Sequence, residues 1–373
     1  MSTSGVDVVE EQLQSAGIEY YRAGTSALDA YFDVSNPYHR YLYARADLVE
    51  LVRIVDTPDF PGINGWDMAV GRPDYSAPIV HTQISPRVYI RCLEERGVFP
   101  QEDPKIFSFL YDPVGGRYLD KQGVYHSLRK RKLESPGDLC STAVLISRYG
   151  FDPGSNAAIN CPQEGLPVEE QRLLLGDILT GRHPERALDF LLETGFIGIF
   201  WQGLPAMDLT EHSKEHHPEG NVWRHTLEAL RYRKTTDLRL SLAILLHDIG
   251  KPLSSRSEEN EFESHAEIGA KAATRFLRHL GYRESVVQDV HFLIRYHMFP
   301  GAISRMPVHR SGPIMSNPLF PLLLELYRCD LSSTWRGPEG YYKACRTYRS
   351  FLKNNANPFR DAEGKKLLRL YVE

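Results

Sequence analysis

The chain reads as an α+β protein: a small mixed α/β sheet domain over residues 1–134, an all-α neck over 135–205 and an all-α domain over 206–373. Three observations predict this. Residues Ala77–His81 and Arg87–Cys92 are short runs rich in β-branched and aromatic residues, whereas Asp47–Val55 has helical spacing. Asp112–Asp120, with Pro113, Gly115 and Gly116, carries the turn chemistry of a hairpin. Ser135, Pro136 and Gly137 then break the chain, and helical patterns dominate from Leu139 onward.

Composition sets the outer bounds. At 373 residues with 42% hydrophobic side chains, the chain can build two or three cores. A net charge of −4 and a pI near 6.4 argue against wholesale polyanion binding, so contact with nucleic acid has to come from a local patch. Arg129–Lys132 is one such basic cluster, and Arg224, Arg231, Arg233 and Lys234 form another. The five cysteines, Cys92, Cys140, Cys161, Cys329 and Cys345, contain no CxxC pair and fit a reducing compartment. Met1–Gln14 lacks the basic start and apolar core of a signal peptide, and no run approaches the ~20 apolar residues of a membrane span. The expectation is a cytoplasmic protein, not bound to membrane, with its oligomeric state open.

The densest chemistry lies between Asn221 and Asp330, where ligand-capable residues sit on helical segments. Leu238–Ile249 is apolar on nearly every side, which predicts a central buried helix closed by Gly250 and Pro252. His247 and Asp248 then fall in its last turn. Adjacent helical residues point about 100° apart, so they share an ion only if it lies beside that turn and other helices complete the shell. His225 lies on the preceding helix. Ser264–Glu267 has the capping-box pattern, which places His265 at the start of a new helix. Val286, Val290, Leu293 and His297 share a face that His291 does not, so His297 is assigned to the site. Leu323, Leu326, Tyr327 and Asp330 form another such stripe, and a carboxylate there needs a partner. A single histidine on an apolar face is usually a hydrogen-bonded core residue. The His247-Asp248 doublet followed by Ile249, Gly250 and Lys251 is far more specific.

With His225 upstream and Asp330 downstream, this pattern resembles the HD superfamily of metal-dependent phosphohydrolases. The resemblance implies His225, His247, Asp248 and Asp330 as ligands of one metal, with His265 and His297 holding a second ion in dinuclear members. Mixed imidazole and carboxylate ligands suit Mn, Fe, Co, Ni or Zn, with Mg also to be considered. For catalysis, Asp248 is the candidate to bridge two ions or orient a nucleophile, and Lys251, one turn beyond it, the candidate to neutralise a phosphate as a point charge. Arg224 and Arg295 are further phosphate candidates.

A narrower resemblance rests on His217–Leu227, Pro167–Arg172 and Pro184–Gly195, continued upstream by Asp112–Asp120 and Asp138–Phe151. These segments look like bacterial tRNA nucleotidyltransferases and poly(A) polymerases, some of which carry a C-terminal HD domain. The resemblance implies a nucleotidyltransferase-like N-terminal fold and gives His217 a substrate-phosphate role, while His212 and His216 lie outside the motif. It also exposes a departure. The Gly-Gly turn and following Arg-Asp of that family look like Gly24-Thr25 and Leu28-Asp29, which puts the paired carboxylates of the transferase on His39 and Tyr41. The Arg-Asp-Phe-Thr segment falls near Glu102–Phe107, and the base-selecting arginines near Ser141 and Val144, so those groups are missing. Asp67 and Asp74 are isolated acids that do not rebuild the pair.

The function expected from the sequence is therefore a metal-dependent phosphohydrolase acting on nucleotides or RNA 3′ ends through the HD-type site, with a degenerate N-terminal transferase domain. Two alternatives stand beside it. One is a tRNA nucleotidyltransferase or poly(A) polymerase adding nucleotides to RNA 3′ ends. The other is a non-catalytic RNA-binding protein that keeps a structural metal.

Overall fold

The computed structural model describes residues 5–34, 39–56, 58–60, 65–71, 87–93, 105–120, 123–124, 136–152, 165–211, 220–255, 262 and 264–354. The chain divides at His183 and Pro184 into two compact units, each taken here by itself.

The first unit contains α1 (Gly5–Ser15), β1 (Tyr20–Ala23), α2 (Thr25–Phe32), β2 (His39–Ala44), α3 (Leu48–Ile54), β3 (Pro58–Asp59), β4 (Met68–Val70), β5 (Arg87–Cys92), β6 (Leu110–Asp112), β7 (Arg117–Leu119), α4 (Pro136–Tyr149) and α5 (Val168–Leu179). Its strands form one seven-stranded sheet in the order β3-β4-β5-β2-β1-β6-β7, antiparallel except where β2 runs parallel to β5. The period of two along each strand divides the sheet into two faces. Leu42, Ala44, Val88 and Ile90 bury against Val9 and Leu13 of α1 and Leu51 of α3. Tyr21, Tyr41, Tyr43 and Tyr89 face the other way and pack with Trp66 and Phe107. Gly24 starts α2 with φ of 57°, and a Cβ there would meet the Phe107 ring at 2.6 Å, so only glycine lets α2 begin so close to that ring.

The expected strand at Arg87–Cys92, the helix at Asp47–Val55 and the hairpin at Asp112–Asp120 correspond to β5, α3 and β6–β7. Asp47 caps α3 by accepting from the Glu50 N–H at 2.8 Å, and Asp112 Oδ1 closes the hairpin by accepting from the Gly115 N–H at 2.8 Å. The expected strand at Ala77–His81 and the basic run Arg129–Lys132 lie outside the described residues. The helices after the Ser135–Gly137 break, α4 and α5, group with the sheet unit and not with the helical one.

The second unit holds α6 (Pro184–Glu193), α7 (Phe196–Phe200), α8 (Pro205–Asp208), α9 (Val222–Arg231), α10 (Leu238–Leu246), α11 (His265–His279), α12 (Glu284–Arg295), α13 (Val308–Met315), α14 (Phe320–Ser332) and α15 (Glu339–Asn354). Its centre is α10, all nine of whose residues are buried. The charge this entails, on Arg239, is met by Asp237 at 3.1 Å and Asp289 at 3.2 Å. Each fully buried leucine of α10 contributes roughly 1.5–3 kcal/mol, which makes this helix the anchor for its neighbours. α9, α12 and α14 pack directly on it, and α11 packs on α12. No helix among the described residues is long and apolar enough to cross a membrane.

Candidate metal centre

Four elements converge on the carboxyl end of α10. Asn221 caps α9, its side chain accepting from the Arg224 N–H at 2.8 Å while its amide donates to the Asp208 carbonyl at 2.9 Å. That fixes the first turn of α9 and turns His225 inward, fully buried. α10 ends at Leu246, so His247 is its cap residue and Asp248 lies in the turn beyond, one step later than the sequence predicted. Ser264 does precede the first residue of α11, but with φ of 54° and no side-chain cap bond. The capping box read from Ser264 and Glu267 is thus absent: Ser264 has a left-handed backbone, and the backbone N–H groups of Glu267 and Ile268 bond its carbonyl.

Gly250 makes the approach of α11 possible. A Cβ at this position would collide with the His265 carbonyl oxygen and with the Gly269 N–H, so glycine in the His-Asp-Ile-Gly turn lets the start of α11 lie against it. His297 follows the end of α12, and Asp330 lies on α14.

Two groups of potential ligands result, His225 with His247 and Asp330, and Asp248 with His265 and His297; within each, one ligand atom per residue lies within 4.8 Å of the others. All six residues named from the sequence are brought together. His225 Nε2 stands 3.4 Å from His247 Nε2 and 3.0 Å from Asp330 Oδ1, and His265 Nε2 stands 3.4 Å from His297 Nε2. Asp248 lies between the groups. Its Oδ2 is 3.3 Å from His247 Nε2, and its Oδ1 is 3.7 Å from His265 Nε2.

The imidazole hydrogens decide what this packing means. His247 Nδ1 donates to the Ile244 carbonyl at 2.7 Å, His265 Nδ1 to Phe262 at 2.9 Å and His297 Nδ1 to Ile294 at 2.7 Å. Ser333 donates its hydroxyl hydrogen to the Asp330 carbonyl at 2.6 Å, so its oxygen accepts from His225 Nδ1 at 3.1 Å. All four rings therefore spend their Nδ1 hydrogen outward and turn bare Nε2 lone pairs inward, toward each other and toward carboxylates. Burial first, and then the neighbouring His247, pushes His297 down to about 4; burial likewise lowers His265. Neutral His265 and His297 rings cannot hydrogen-bond across their 3.4 Å contact. Ring nitrogens facing one another and facing carboxylates, with Asp248 Oδ1 buried and accepting no hydrogen bond, fit a cation.

The carboxylates are tuned to match. Burial alone would raise Asp248 and Asp330, yet in the metal-free protein positive charge outweighs it, from His247 when protonated and from Lys251 at Asp248, and from His225 when protonated at Asp330, holding both well below the ordinary range. Lys251 Nζ is 2.6 Å from Asp248 Oδ2, so the lysine is engaged with the candidate ligand.

The remaining named residues lie elsewhere. Arg224 is half exposed and paired with Asp189 at 2.6 Å. Arg295 is exposed at the end of α12, its guanidinium 5.8 Å from the Tyr296 ring. His291 Nδ1 meets Thr274 Oγ1 at 3.1 Å, outside both groups. His212, His216 and His217 fall outside the described residues. Sequence reasoning missed Ser333, three residues after Asp330 and one turn on, where a hydroxyl reaches the ring that Asp330 faces.

In the first unit His39 and Tyr41 occupy alternate positions of β2 on one face, both buried. Tyr41 donates its hydroxyl to Asp177 Oδ2 at 3.1 Å, Arg148 bridges Asp177 and Asp29, and Tyr149 donates to Asp29 Oδ1 at 2.8 Å. Asp67 is exposed and accepts from the Cys92 N–H at 2.8 Å; Asp74 lies outside the described residues.

Comparison with known proteins agrees with this geometry in one respect and corrects it in another. Residues 221–330, which contain all six candidate ligands, match the family model of the HD domain. Among curated proteins the chain is 30% identical over 204 residues to the CC-adding tRNA nucleotidyltransferase of Thermus thermophilus, covering 51% of this chain and 45% of that one. It is 26% identical over 207 residues to the multifunctional CCA protein of Halorhodospira halophila, covering 50% of each. The chain thus spans about half the length of the curated relatives it matches. Among solved structures the fold resembles the CCA-adding enzyme of Bacillus stearothermophilus in complex with CTP, with a TM-score of 0.50 at 15% identity over 94% of this chain and 83% of that one.

The expectation of a phosphohydrolase with a silent transferase domain is overturned here, since the relatives are named for nucleotide transfer to tRNA and CCA addition. It arose because the ligand pattern is concentrated in one 110-residue stretch, whereas a transferase site distributed over a divergent sheet leaves little local signal. The mixed sheet followed by helices is the fold of that CCA-adding enzyme. Residues 221–330 match the HD domain, and the chain around them is similar to tRNA nucleotidyltransferases over about half of their length and shares the fold of a CCA-adding enzyme.

Proposed function

We propose that this protein is an enzyme that adds nucleotides to the 3′ ends of RNA. The observation that carries the reading is the 30% identity, over 204 residues, to a CC-adding tRNA nucleotidyltransferase. Such transfer joins an RNA 3′ oxygen to the α-phosphorus of a nucleoside triphosphate and expels pyrophosphate, a step that carboxylate-held divalent ions assist by charge stabilisation. A cytoplasmic location belongs to the same reading, because the five scattered cysteines contain no CxxC pair and fit a reducing compartment.

For the HD domain we assign His225, His247, Asp248, His265, His297 and Asp330 to one or two divalent ions of the Mn, Fe, Co, Ni or Zn type, with Mg weaker at so nitrogen-rich a set. Asp248 faces both groups and is the bridging candidate. Bound there, a cation neutralises the carboxylates and ties α9, α10, α11 and α14 together.

Incubation with labelled CTP or ATP, Mg and a tRNA acceptor tests the reading. Label should appear at the RNA 3′ end and depend on Mg; no incorporation by the unaltered protein overturns the reading. A second reading, a non-catalytic RNA-binding protein with a structural metal, is favoured by one observation: His39 and Tyr41 stand at alternate positions of β2 where paired carboxylates are needed. Full metal content and RNA binding without incorporation would establish it instead.

A further inference from the structure

The second unit holds a cleft of about 590 Å³ on the Nδ1 side of His225, away from the ligand-facing nitrogens. Its size lies within the usual range for small-molecule sites. Trp335 lines it and is 74% exposed, with Tyr232 beside it at 41%. An indole left this open to water is an apolar face of the kind that a planar partner covers.

The charges lining the cleft specify the partner further. Arg224 is paired with Asp189 at 2.6 Å, and Arg231 with Glu228 at 2.7 Å. Cations and carboxylates alternate, so the cleft offers fixed donors and fixed acceptors with little net charge. A bare phosphate gains little from such a lining. A nucleobase, whose edge alternates ring N–H or amino donors with carbonyl or ring-nitrogen acceptors, complements it while stacking on the indole.

We propose that this cleft binds an unpaired nucleobase, stacked on Trp335 and read along its edge by the Arg224–Asp189 and Arg231–Glu228 pairs. The inference rests on the reading that nucleotides and RNA are the substrates. Ser333 also lines the cleft, and its hydroxyl holds both the His225 ring and the Asp330 carbonyl, so the bound base lies against the residue that orients two candidate metal ligands.

The experiment uses the full chain, with tryptophan fluorescence read during titration with a short single-stranded RNA, with duplex RNA, and with free CTP and ATP. Trp201 and Trp223 are fully buried and Trp66 is partly buried in the sheet unit, so the titration is run on Trp66→Phe, in which quenching reports chiefly on Trp335. The single strand should quench, and Trp335→Ala should remove the quench and weaken binding of end-labelled RNA by roughly tenfold or more, as loss of one base stack does. Trp335→Phe should restore most of the affinity, and metal content should stay unchanged in both. Quenching by free nucleotide at equal affinity would identify a mononucleotide as the occupant, and quenching by the strand alone would identify a base presented by RNA. Unaltered RNA and nucleotide binding in Trp335→Ala, or binding of duplex only, overturns the proposal. Nucleotide incorporation is measured on the same samples: Trp335-dependent binding without incorporation leaves the cleft standing and removes the transferase reading, and incorporation with Trp335-independent binding does the reverse.

Discussion

Each unit of this chain gathers two buried or half-buried carboxylates from separate elements, and the two balance them in opposite ways. In the sheet unit Asp29 and Asp177 have all four carboxylate oxygens occupied by protein donors: Arg148 reaches one oxygen of each, Tyr149 takes the second of Asp29, and Tyr41 the second of Asp177. In the helical unit Asp248 Oδ1 accepts nothing, and Asp330 Oδ1 faces a nitrogen lone pair of His225 at 3.0 Å. The first set is closed, with the Arg148 guanidinium as its cation. The second is short of positive charge by design of its tautomers. Counting hydrogens therefore separates a packed ionic network from a ligand set, where a list of nearby acids and histidines would not.

The largest effect that tests this contrast is on metal content. Asp248→Ala removes the group that faces both ligand sets and leaves Lys251 without its 2.6 Å partner. Metal content measured after purification should fall from one or two ions per chain to none. Full occupancy in the variant would mean that the inward lone pairs serve some other purpose.

The sheet unit should respond to loss of its own cation and not to chelation. Arg148→Met leaves Asp29 and Asp177 buried without a counter-charge, at a cost of roughly 3–5 kcal/mol read from the urea midpoint. Adding Asp29→Asn and Asp177→Asn should recover much of that, because both acceptors then lose their charge. An unchanged midpoint in the single variant would show that the network is not closed as its hydrogen bonds suggest.

His265→Ala combined with His297→Ala divides the helical cluster within itself. Stoichiometry should drop by one ion while His225, His247 and Asp330 keep theirs, since these sit on α9, α10 and α14 and do not depend on α11. Emptying of both sites would instead make the cluster a single mononuclear shell.

How far the sequence alone carries differs between the same two regions. The helical unit was readable because α10 is apolar on every face and its neighbours repeat at helical spacing, so periodicity fixes which histidines turn inward. His297 over His291 followed from that alone. What stayed hidden there depends on backbone detail: the left-handed Ser264 and the Ser333 hydroxyl have no periodic signature. In the sheet unit, the hairpin and β5 showed through turn chemistry and β-branched residues, while β1 and β2, with Arg22 and Arg40 among their tyrosines, carry no clean alternation. Their aromatic face and the Tyr41–Asp177–Arg148–Asp29 network join residues up to 148 positions apart in sequence, from Asp29 to Asp177, which no local pattern records.

The smallest expected effect is also the one with opposite signs in the two units. Burial pushes Asp177 up to about 6, against the partial relief that Arg148 provides. Its unfolded value is near 3.8, so between pH 4 and 6 the folded state holds a proton that the unfolded chain has released, and the sheet unit loses stability as pH rises through that window. His297 runs the other way. Held down to about 4 by burial and by His247, it is neutral in the folded state where the unfolded ring, near 6.5, is protonated. The metal-free helical unit therefore gains stability as pH rises from 4 to 6.5, and bound metal extends the gain because its ligands must be deprotonated. Amide hydrogen exchange resolved by peptide, at pH 4.5 and pH 6.5 after chelation and correction for intrinsic rates, separates the units. Protection should fall in β2 and α5 and rise in α10 and α12. Asp177→Asn should flatten the first trend and leave the second; parallel trends in both units would mean that the two carboxylate sets are balanced alike.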